Sequence, residues 1–284
     1  MNEILVGVDF SESSQNALAH AIGLATKFKS NLLLVWVENS NSIRHLNIKS
    51  DESVKDIVES KFKKIINNYS NEISPKDIEY RIRKGVTYKE VIALSMENDV
   101  DMIMVGAHGS QGFRRFLMGD NANHIIAEAK CPVISIRETR TLKRGLKTIV
   151  IPIDSSLDTR QKLPITTKIA LYYGAEVHLL GLYFSSVGTL RKRVNSYVKQ
   201  SEEFLIKSRV KNIVVHFSAS KNGARTIMNY AIKVNAGMIS TMIETEKLAS
   251  DLWLGSQGQQ LVNQSPVPIL SIANKEYMRS RPRL

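Results

Sequence analysis

Residues 4–14 read ILVGVDFSESS, and residues 149–159 repeat their pattern as IVIPIDSSLDT. Each stretch is an apolar, β-branched run that ends at an aspartate, Asp9 or Asp154, and then continues into a serine-rich turn. A short, nearly continuous apolar run is typical of a strand that is covered on both faces, as in a parallel sheet. We therefore predict that the same buried strand and polar turn open two halves of the chain.

The repeat continues along both halves. The same offset of 145 residues aligns residues 25–40 with residues 170–185, and an offset of 136 aligns CPVISI at 131–136 with VPILSI at 267–272. Matching segments at fixed offsets indicate two homologous domains. We predict a first domain at 1–138, a basic linker at 139–146, a second domain at 147–273 and a basic tail at 274–284.

Strands alternate with helices within the first copy. Apolar or β-branched runs predict strands at 3–9, 31–37, 78–84, 101–107 and 132–136. Helical periodicity predicts helices at 13–28, 52–69 and 87–98, the first with Ala17, Ala21, Leu24 and Phe28 on one face. Strands joined through helices run parallel. We therefore predict an α/β fold with a five-stranded parallel sheet in each domain and strands covered on both faces.

Composition narrows the class of protein. No apolar run approaches the roughly 20 residues that cross a bilayer, and the opening residues MNEILVGVDF lack the basic region and cleavage site of a signal peptide. Because Cys131 is the single cysteine, no disulfide forms within the chain, and a reducing compartment fits. We expect a soluble, cytoplasmic protein without a membrane partner.

The formal net charge of +12 lies in the second half of the chain. Residues 1–140 hold 18 basic and 18 acidic side chains, whereas residues 141–284 hold 21 and 9. A basic surface attracts nucleic acid, but base recognition would need interleaved aromatic residues or zinc-ligand spacing. The sequence has neither pattern, so we do not expect nucleic-acid binding.

A loop with several glycines, VGAHGSQGFRRFLMGDNANH at 105–124, follows the fourth predicted strand. In open parallel sheets, ligands bind beyond the carboxyl ends of the strands, where the strand order reverses. This rule makes the loop and the Asp9 turn the candidate site. Gly106 and Gly109 leave the backbone open to a phosphate, and a helix beginning near Gly119 would attract it. The absence of GxxxxGK(S/T), GxGxxG, GxSxG and metal-ligand spacing excludes the familiar phosphate loops and a serine nucleophile elbow.

This loop resembles the nucleotide motif of the universal stress protein family. Its glycines are spaced as Gly106-x2-Gly109-x9-Gly119 and are followed by Asp120. The opening strand and turn and the closing strand CPVISI are also similar to that family, so the resemblance covers nearly the whole chain as a tandem protein. It implies a doubly wound sheet in the order 3-2-1-4-5, of the adenine nucleotide alpha hydrolase-like type. It also implies pairing through the last strands, within a chain or in a homodimer, and an ATP-binding or a non-binding branch.

The resemblance implies a nucleotide site made of Asp9, Trp36, Gly106, Gly109, Gly119, Asp120 and Asn121. Asp9 would bind the adenosine end, and the glycines would line the phosphates. Trp36 stands where the family offers a small residue's backbone to adenine, so its ring would either stack on the base or fill the pocket. Asp120 replaces the family's serine or threonine. Its carboxylate would repel a phosphate unless Mg²⁺ lay between them or Asn121 took over hydrogen-bond donation.

The second copy lacks the close-approach glycines. At the offset of 136, Gly106 corresponds to Met242 and Gly109 to Thr245. Their β-carbons would occupy the space that a pyrophosphate needs. We therefore expect ATP in the first domain only, with Asp154 retained as a relic or a helix cap.

Three function classes stay open from the sequence. The first is an ATP-binding regulatory protein of the stress response. The second is a scaffold or dimerisation protein with two vestigial sites, in which Asp9 and Ser11 only cap the first helix and the glycines only make turns. The third, an enzyme, is the weakest, because no general base, metal cluster or activated nucleophile accompanies the loop. We expect slow ATP hydrolysis at most.

Overall fold

The structure is a computed structural model that describes residues 1–44, 46, 53–107, 120–137, 146–243, 245–248, 251–254 and 256–273. At residues 120, 245–248 and 251–254 it describes the backbone. The chain divides into two compact units, Met1–Glu138 and Thr139–Leu284. We call them the first unit and the second unit.

The first unit is built around one parallel sheet. Its elements are β1 (Glu3–Gly7), α1 (Glu12–Phe28), β2 (Asn31–Glu38), α2 (Ser40–Arg44), α3 (Val54–Asn68), a 3-10 turn (Pro75–Asp77), β3 (Ile78–Lys84), α4 (Thr87–Glu97), β4 (Met102–Gly106), α5 (Asp120–Glu128) and β5 (Val133–Ile136). The strand order is β3-β2-β1-β4-β5, and every neighbouring pair is parallel. The chain thus extends the sheet from β1 first on one side and then on the other, which confirms the order 3-2-1-4-5.

The second unit has the same architecture. Its elements are β6 (Thr148–Ile153), α6 (Leu163–Tyr173), β7 (Glu176–Tyr183), α7 (Gly188–Lys207), β8 (Ile213–Ala219), α8 (Gly223–Lys233), β9 (Met238–Ile243), β10 (Thr245–Leu248), β11 (Asp251–Leu254), α9 (Ser256–Gln264) and β12 (Ile269–Ala273). The five parallel strands follow the order β8-β7-β6-β9-β12. The predicted α/β class, with a doubly wound parallel sheet in each half, is confirmed.

Helix α1 shows why the sequence folds in this way. Ser11 has extended backbone angles, and its hydroxyl accepts a hydrogen bond from the N–H of Ser14 at 3.2 Å, which caps the helix. The predicted apolar face of the helix is buried: Ala17, Ala21, Leu24 and Phe28. Burial of this face against the sheet therefore stabilises the helix, as in most amphipathic helices of globular proteins.

The sequence does not predict two short elements. Strands β10 and β11 form an antiparallel hairpin after β9, with Thr245 opposite Leu254. Each strand has four residues, too few for a period-two pattern to stand out. Helix α2 begins where the side chain of Asn39 accepts the N–H of Ser42 at 2.9 Å, a local contact that periodicity does not reveal.

The prediction that all strands are covered on both faces is wrong for β3. This strand lies at an edge of the first sheet, and Glu79 and Arg81 are exposed there as an ion pair with a 2.8 Å N–O distance. An edge strand has one row of unpaired backbone groups, and charged side chains discourage another strand from pairing with it. The apolar residues of IEYRIRK suggested burial, but the lateral position of the strand in the sheet decides its exposure.

Candidate functional site

A hydrogen-bonded turn follows β1 at Asp9. Its carboxylate oxygen Oδ1 accepts the N–H of Ser11 at 3.0 Å and the Ser11 hydroxyl at 2.5 Å. The N–H of Asp9 donates to Oγ of Ser14 at 3.3 Å. Among the described residues, the second carboxylate oxygen, Oδ2, has no hydrogen-bond partner. Asp9 therefore organises the start of α1 with one oxygen and leaves the other available to a ligand.

Gly106 ends β4 against the first turn of α1. A β-carbon at this position would lie 2.5 Å from Oγ of Ser13 and 2.7 Å from its carbonyl carbon, which is closer than real side chains approach. The N–H of the next residue, Ala107, donates to the carbonyl oxygen of Ile136 at 2.7 Å and fixes the strand end. The packing of α1 on β4 therefore requires a glycine here, and it brings the end of β4 close to the Asp9 turn.

Asp9 and Gly106 lie at the point where the strand order reverses. Strand β1 pairs with β2 on one side and with β4 on the other. At such a point the connections diverge and leave a crevice beyond the carboxyl ends of the two central strands. The structure thus brings these two predicted residues to the same crevice.

Trp36 lies inside the first unit. Its side chain is 1% exposed, and the residue pairs with Ile82 on β3. Its indole nitrogen, Nε1, has no hydrogen-bond partner among the described residues. The ring fills interior space, so of the two roles expected for it, the burial agrees with filling rather than with stacking on a base.

The other predicted residues belong to the glycine loop and to α5. Gly109 and Gly119 lie outside the described residues. Asp120 begins α5, and Asn121 is exposed in the first turn of that helix. First-turn N–H groups carry partial positive charge and have no partner within their helix. The exposed start of α5 therefore has the chemistry of an anion site.

An aromatic contact beside the Asp9 turn is not evident from the sequence. Phe10 has a φ of 64°, an uncommon and strained value for a bulky residue. Its ring centroid lies 5.3 Å from that of Phe62, and Nζ of Lys61 lies 5.2 Å from the Phe10 centroid. Both partners come from α3, and helical periodicity signals only that Phe62 is buried. The contact adds an apolar ring and a positive charge next to the turn.

The second unit repeats the hydrogen bonds of the Asp9 turn. Oδ1 of Asp154 accepts the N–H of Ser156 at 2.8 Å and its hydroxyl at 2.5 Å, and the N–H of Asp154 donates to Oγ1 of Thr159 at 3.1 Å. Each of these residues lies 145 positions after its counterpart in the first unit. The turn therefore serves the fold in both units and does not by itself mark a nucleotide site.

The two units differ after their fourth strands. Met242 pairs with Ile272 in the second unit, as Gly106 pairs with Ile136 in the first, so the sheets align Met242 with Gly106. Met242 is half-buried, and the β10–β11 hairpin follows it. The second unit thus has a side chain and a hairpin where the first unit has a glycine followed by residues 108–119, which lie outside the described residues.

A buried lysine adjoins the turn of the second unit. Lys162 is 1% exposed, and its Nζ donates to the carbonyl oxygen of Thr159. Burial lowers the pKa of Lys162 from 10.5 to about 8, and the nearby carboxylates of Asp154 and Asp158 oppose that shift. The first unit has Ala17 at the corresponding position, so it has no counterpart of this buried charge there.

Two classes of feature are missing from the described part of the chain. None of its helices has both the length and the apolar character needed to cross a membrane. In the same residues, no three His, Cys, Asp or Glu side chains come together as a group that could hold a metal ion.

Comparisons with known proteins relate the first half of the chain to one protein family. The model of the universal stress protein family matches residues 1–137. A universal stress protein of Methanocaldococcus jannaschii is 24% identical over 146 residues, which cover 49% of this chain and 83% of the relative. A universal stress protein A homolog of Coxiella burnetii is 26% identical over 136 residues, covering 47% and 94%.

A solved structure extends the likeness in fold to nearly the whole chain. The crystal structure of a universal stress protein from Archaeoglobus fulgidus matches with a TM-score of 0.72 at 18% identity, covering 96% of this chain and 98% of that one. At this identity the match shows the fold alone. The sequence match to the universal stress protein family therefore covers residues 1–137, and the rest of the chain is similar to it in fold.

Proposed function

We propose that the first unit binds an adenine nucleotide, ATP foremost, in the crevice at Asp9 and Gly106, and that the second unit does not. The observation that carries the proposal is that the Asp9 carboxylate, which holds its own turn through Oδ1 and has Oδ2 available, lies beside a strand that ends at Gly106, where the second unit has Met242. A carboxylate oxygen in such a crevice is a strong acceptor for the hydroxyl groups of a ribose. The adenosine end of the nucleotide would therefore lie at Asp9.

The phosphates would extend toward the start of α5. Backbone N–H groups around the exposed Asn121 would donate to them, assisted by the helix dipole. The charge of Asp120 opposes a bare phosphate, so ATP would bind as its Mg²⁺ complex. The bound nucleotide would regulate what the protein contacts, and we assign no residue to hydrolysis.

A scaffold that binds no nucleotide is the second candidate, and the packing of the site favours it at two points. Gly106 is already required by its contact with Ser13. Trp36 already fills interior space. Packing thus accounts for both residues without a ligand. A protein with no nucleotide site would act through its surfaces alone.

Equilibrium dialysis with radiolabelled ATP tests the proposal through a matched pair of variants. Asp9→Asn and Asp154→Asn each retain one side-chain oxygen, so each can keep the acceptor that holds its turn. We expect Asp9→Asn to weaken ATP binding roughly 10-fold, as for the loss of one charge-assisted hydrogen bond. Asp154→Asn should leave the affinity unchanged. No binding of millimolar ATP by the unaltered protein would favour the scaffold. Equal effects of the two variants on the affinity would show that the nucleotide is not bound at Asp9 alone.

Removal of Mg²⁺ tests the phosphate end separately. In Mg²⁺-free buffer we expect weaker ATP binding by the unaltered protein and a recovery in Asp120→Ser, because that change removes the repelling carboxylate. If Asp120→Ser does not alter the affinity in Mg²⁺-free buffer, the carboxylate does not face the phosphates.

A further inference from the structure

Strand β8 has an open edge. It pairs with β7, and no other strand of the described residues pairs with it. The N–H of Val177 donates to the carbonyl oxygen of Asn212 at 2.9 Å, and the N–H of Ser220 donates to that of Tyr183 at 2.9 Å. In a parallel ladder, alternate residues direct both backbone groups to the same neighbour. The residues between these contacts that direct both groups away from β7 are Ile213, Val215, Phe217 and Ala219.

The corresponding edge of the first unit is protected by charge. Trp36 pairs with Ile82, and Gly181, its counterpart at the offset of 145, pairs with Phe217. This register aligns three charged residues of β3, Glu79, Arg81 and Arg83, with Val214, His216 and Ser218 of β8. Charged side chains on an edge strand are a common defence against strand addition. Strand β8 carries none.

Aromatic contacts hold β8 from both faces. On one face, the ring of Phe217 stacks on Tyr183 with centroids 5.5 Å apart, and the guanidinium of Arg191 lies 4.7 Å from the Tyr183 centroid. On the other face, His216 stacks on Tyr230 at 4.9 Å. An edge that is already ordered has less conformational entropy to lose when a further strand is added.

The surroundings of β8 are strongly basic. Residues 188–234, which comprise α7, β8 and α8, contain ten basic and two acidic residues. The corresponding segment of the first unit, residues 53–98, contains nine and seven. This contrast favours an acidic ligand at the second edge.

The same charge disfavours a second copy of this chain. Antiparallel pairing of two β8 strands centred on His216 would place Lys211 opposite Lys221 of the other copy at both ends of the ladder. Like charges that face each other across a strand pair are destabilising.

We propose that the edge of β8 binds an extended, acidic segment of a partner protein, which joins the second sheet as an added strand. Backbone groups at Val215 and Phe217 would pair with the main chain of that segment, and alternate carboxylates would face the surrounding lysines and arginines. This surface lies wholly in the second unit and does not depend on nucleotide binding by the first.

An acetylated eight-residue peptide that alternates valine with glutamate is a suitable probe for the full-length chain. We expect amide NMR shifts centred on β8 and binding that weakens at least about 10-fold when every peptide nitrogen is methylated, since methylation then removes the main-chain donors of both edges of the peptide. Val215→Pro, which removes an outward N–H that β7 does not use, should weaken binding similarly. Val215→Thr keeps the N–H and the branched shape and should bind as the unaltered chain does.

Four results would overturn the proposal. The first is no binding of the acidic peptide at millimolar concentration. The second and third are binding of the methylated peptide, or of a peptide with lysine in place of glutamate, that equals binding of the acidic peptide. The fourth is tighter binding of a single-stranded oligonucleotide than of the acidic peptide. A dimer of the unaltered chain that Val215→Pro dissociates would identify a second copy as the occupant instead. Retention of the native circular dichroism spectrum by Val215→Pro separates lost binding from misfolding.

Discussion

The first unit ends its fourth strand with Gly106, whereas the second has Met242 at the corresponding position, ends the strand at Ile243 and continues into a hairpin. Both nevertheless form the same hydrogen bonds at the turn after their first strand, through Asp9 and Asp154. Because the second unit keeps this turn without the glycine, the aspartate serves the fold in both. The nucleotide proposal therefore depends on the end of the fourth strand, where the first unit has Gly106 and the second has Met242.

The edge strands of the two sheets, β3 and β8, differ in charge. The first unit protects β3 with Glu79, Arg81 and Arg83, whereas the second leaves β8 uncharged within a basic surface. The unit with the proposed nucleotide site thus has the more protected edge. The two copies have kept one architecture while changing the surfaces at which a ligand or a protein could bind.

The largest expected effect concerns β2 and β7, the second strand of each unit. In the first unit the large aromatic side chain lies on this strand, and in the second unit it lies on the neighbouring strand. Trp36 pairs with Ile82, whereas Gly181 pairs with Phe217, whose ring occupies the space beside the glycine. We expect Trp36→Ala to lower the free energy of unfolding by about 3–5 kcal/mol, as for other buried aromatic residues. Urea denaturation followed by circular dichroism measures this change.

The pairing of Gly181 with Phe217 in the second unit suggests a substitution that would compensate for Trp36→Ala. Ile82→Phe alone should destabilise the first unit by about 1–3 kcal/mol through overpacking. Combined with Trp36→Ala, it should cost less than the sum of the two single changes, because the new ring fills part of the cavity. A loss below about 1 kcal/mol for Trp36→Ala would contradict a core role and make the ring available to a base.

An intermediate effect is expected at Lys162, where the first unit has Ala17. The pKa of Lys162 falls from 10.5 to about 8 on folding, so the unfolded chain binds the proton more tightly. The free energy of unfolding therefore rises as the pH increases between these two values. Below this window the penalty for burying the charge is fully present. Lys162→Met should stabilise the second unit near pH 7 by up to about 3 kcal/mol, less the lost hydrogen bond, and by much less near pH 10.

Denaturation of the variant and the unaltered chain at both pH values measures this effect. Lys168→Met, at an exposed position on α6, the helix that Lys162 precedes, is the control and should change stability little at either pH. If the benefit of Lys162→Met were the same at both pH values, the ammonium charge would not be the source of the penalty.

The smallest expected effect separates packing from ligand binding at Gly106. Gly106→Ala should lower the free energy of unfolding by about 2 kcal/mol even without nucleotide, because the backbone of Ser13 cannot move aside easily. Gly7→Ala is the matched control, since its β-carbon would lie 3.6 Å from Val105, an ordinary contact. Thermal unfolding of both variants measures the difference, and equal stabilities would show that the approach of α1 to β4 is not tight.

The sequence patterns were sufficient to predict the parallel strands and most of the helices, whereas the sheet order came from the resemblance to the universal stress protein family. Buried parallel strands are short apolar runs, and amphipathic helices such as α1 carry a clear periodicity. The exposure of β3 was not predictable in the same way, because it depends on which strands lie beside it. The hairpin β10–β11 is too short to show a pattern of its own.

The candidate site was predictable only in part. The Asp9 turn is local in sequence, and the repeat at Asp154 marks it. The contact between Gly106 and Ser13 joins residues far apart in the chain, and only the folded packing reveals that it requires a glycine. Nothing in the sequence indicates that Lys162 is buried, because lysine is almost always exposed. The roles of Gly109 and Gly119 stay predictions, since both lie outside the described residues.

The stoichiometry of ATP binding tests most directly the claim that two units of one fold differ in their ligand site. Equilibrium dialysis at saturating Mg²⁺-ATP, with the unaltered chain, Asp9→Asn and Asp154→Asn side by side, gives the number of nucleotides per chain. We predict one nucleotide, with affinity reduced by Asp9→Asn alone. Two nucleotides per chain, or one whose binding depends on Asp154 instead, would contradict the account.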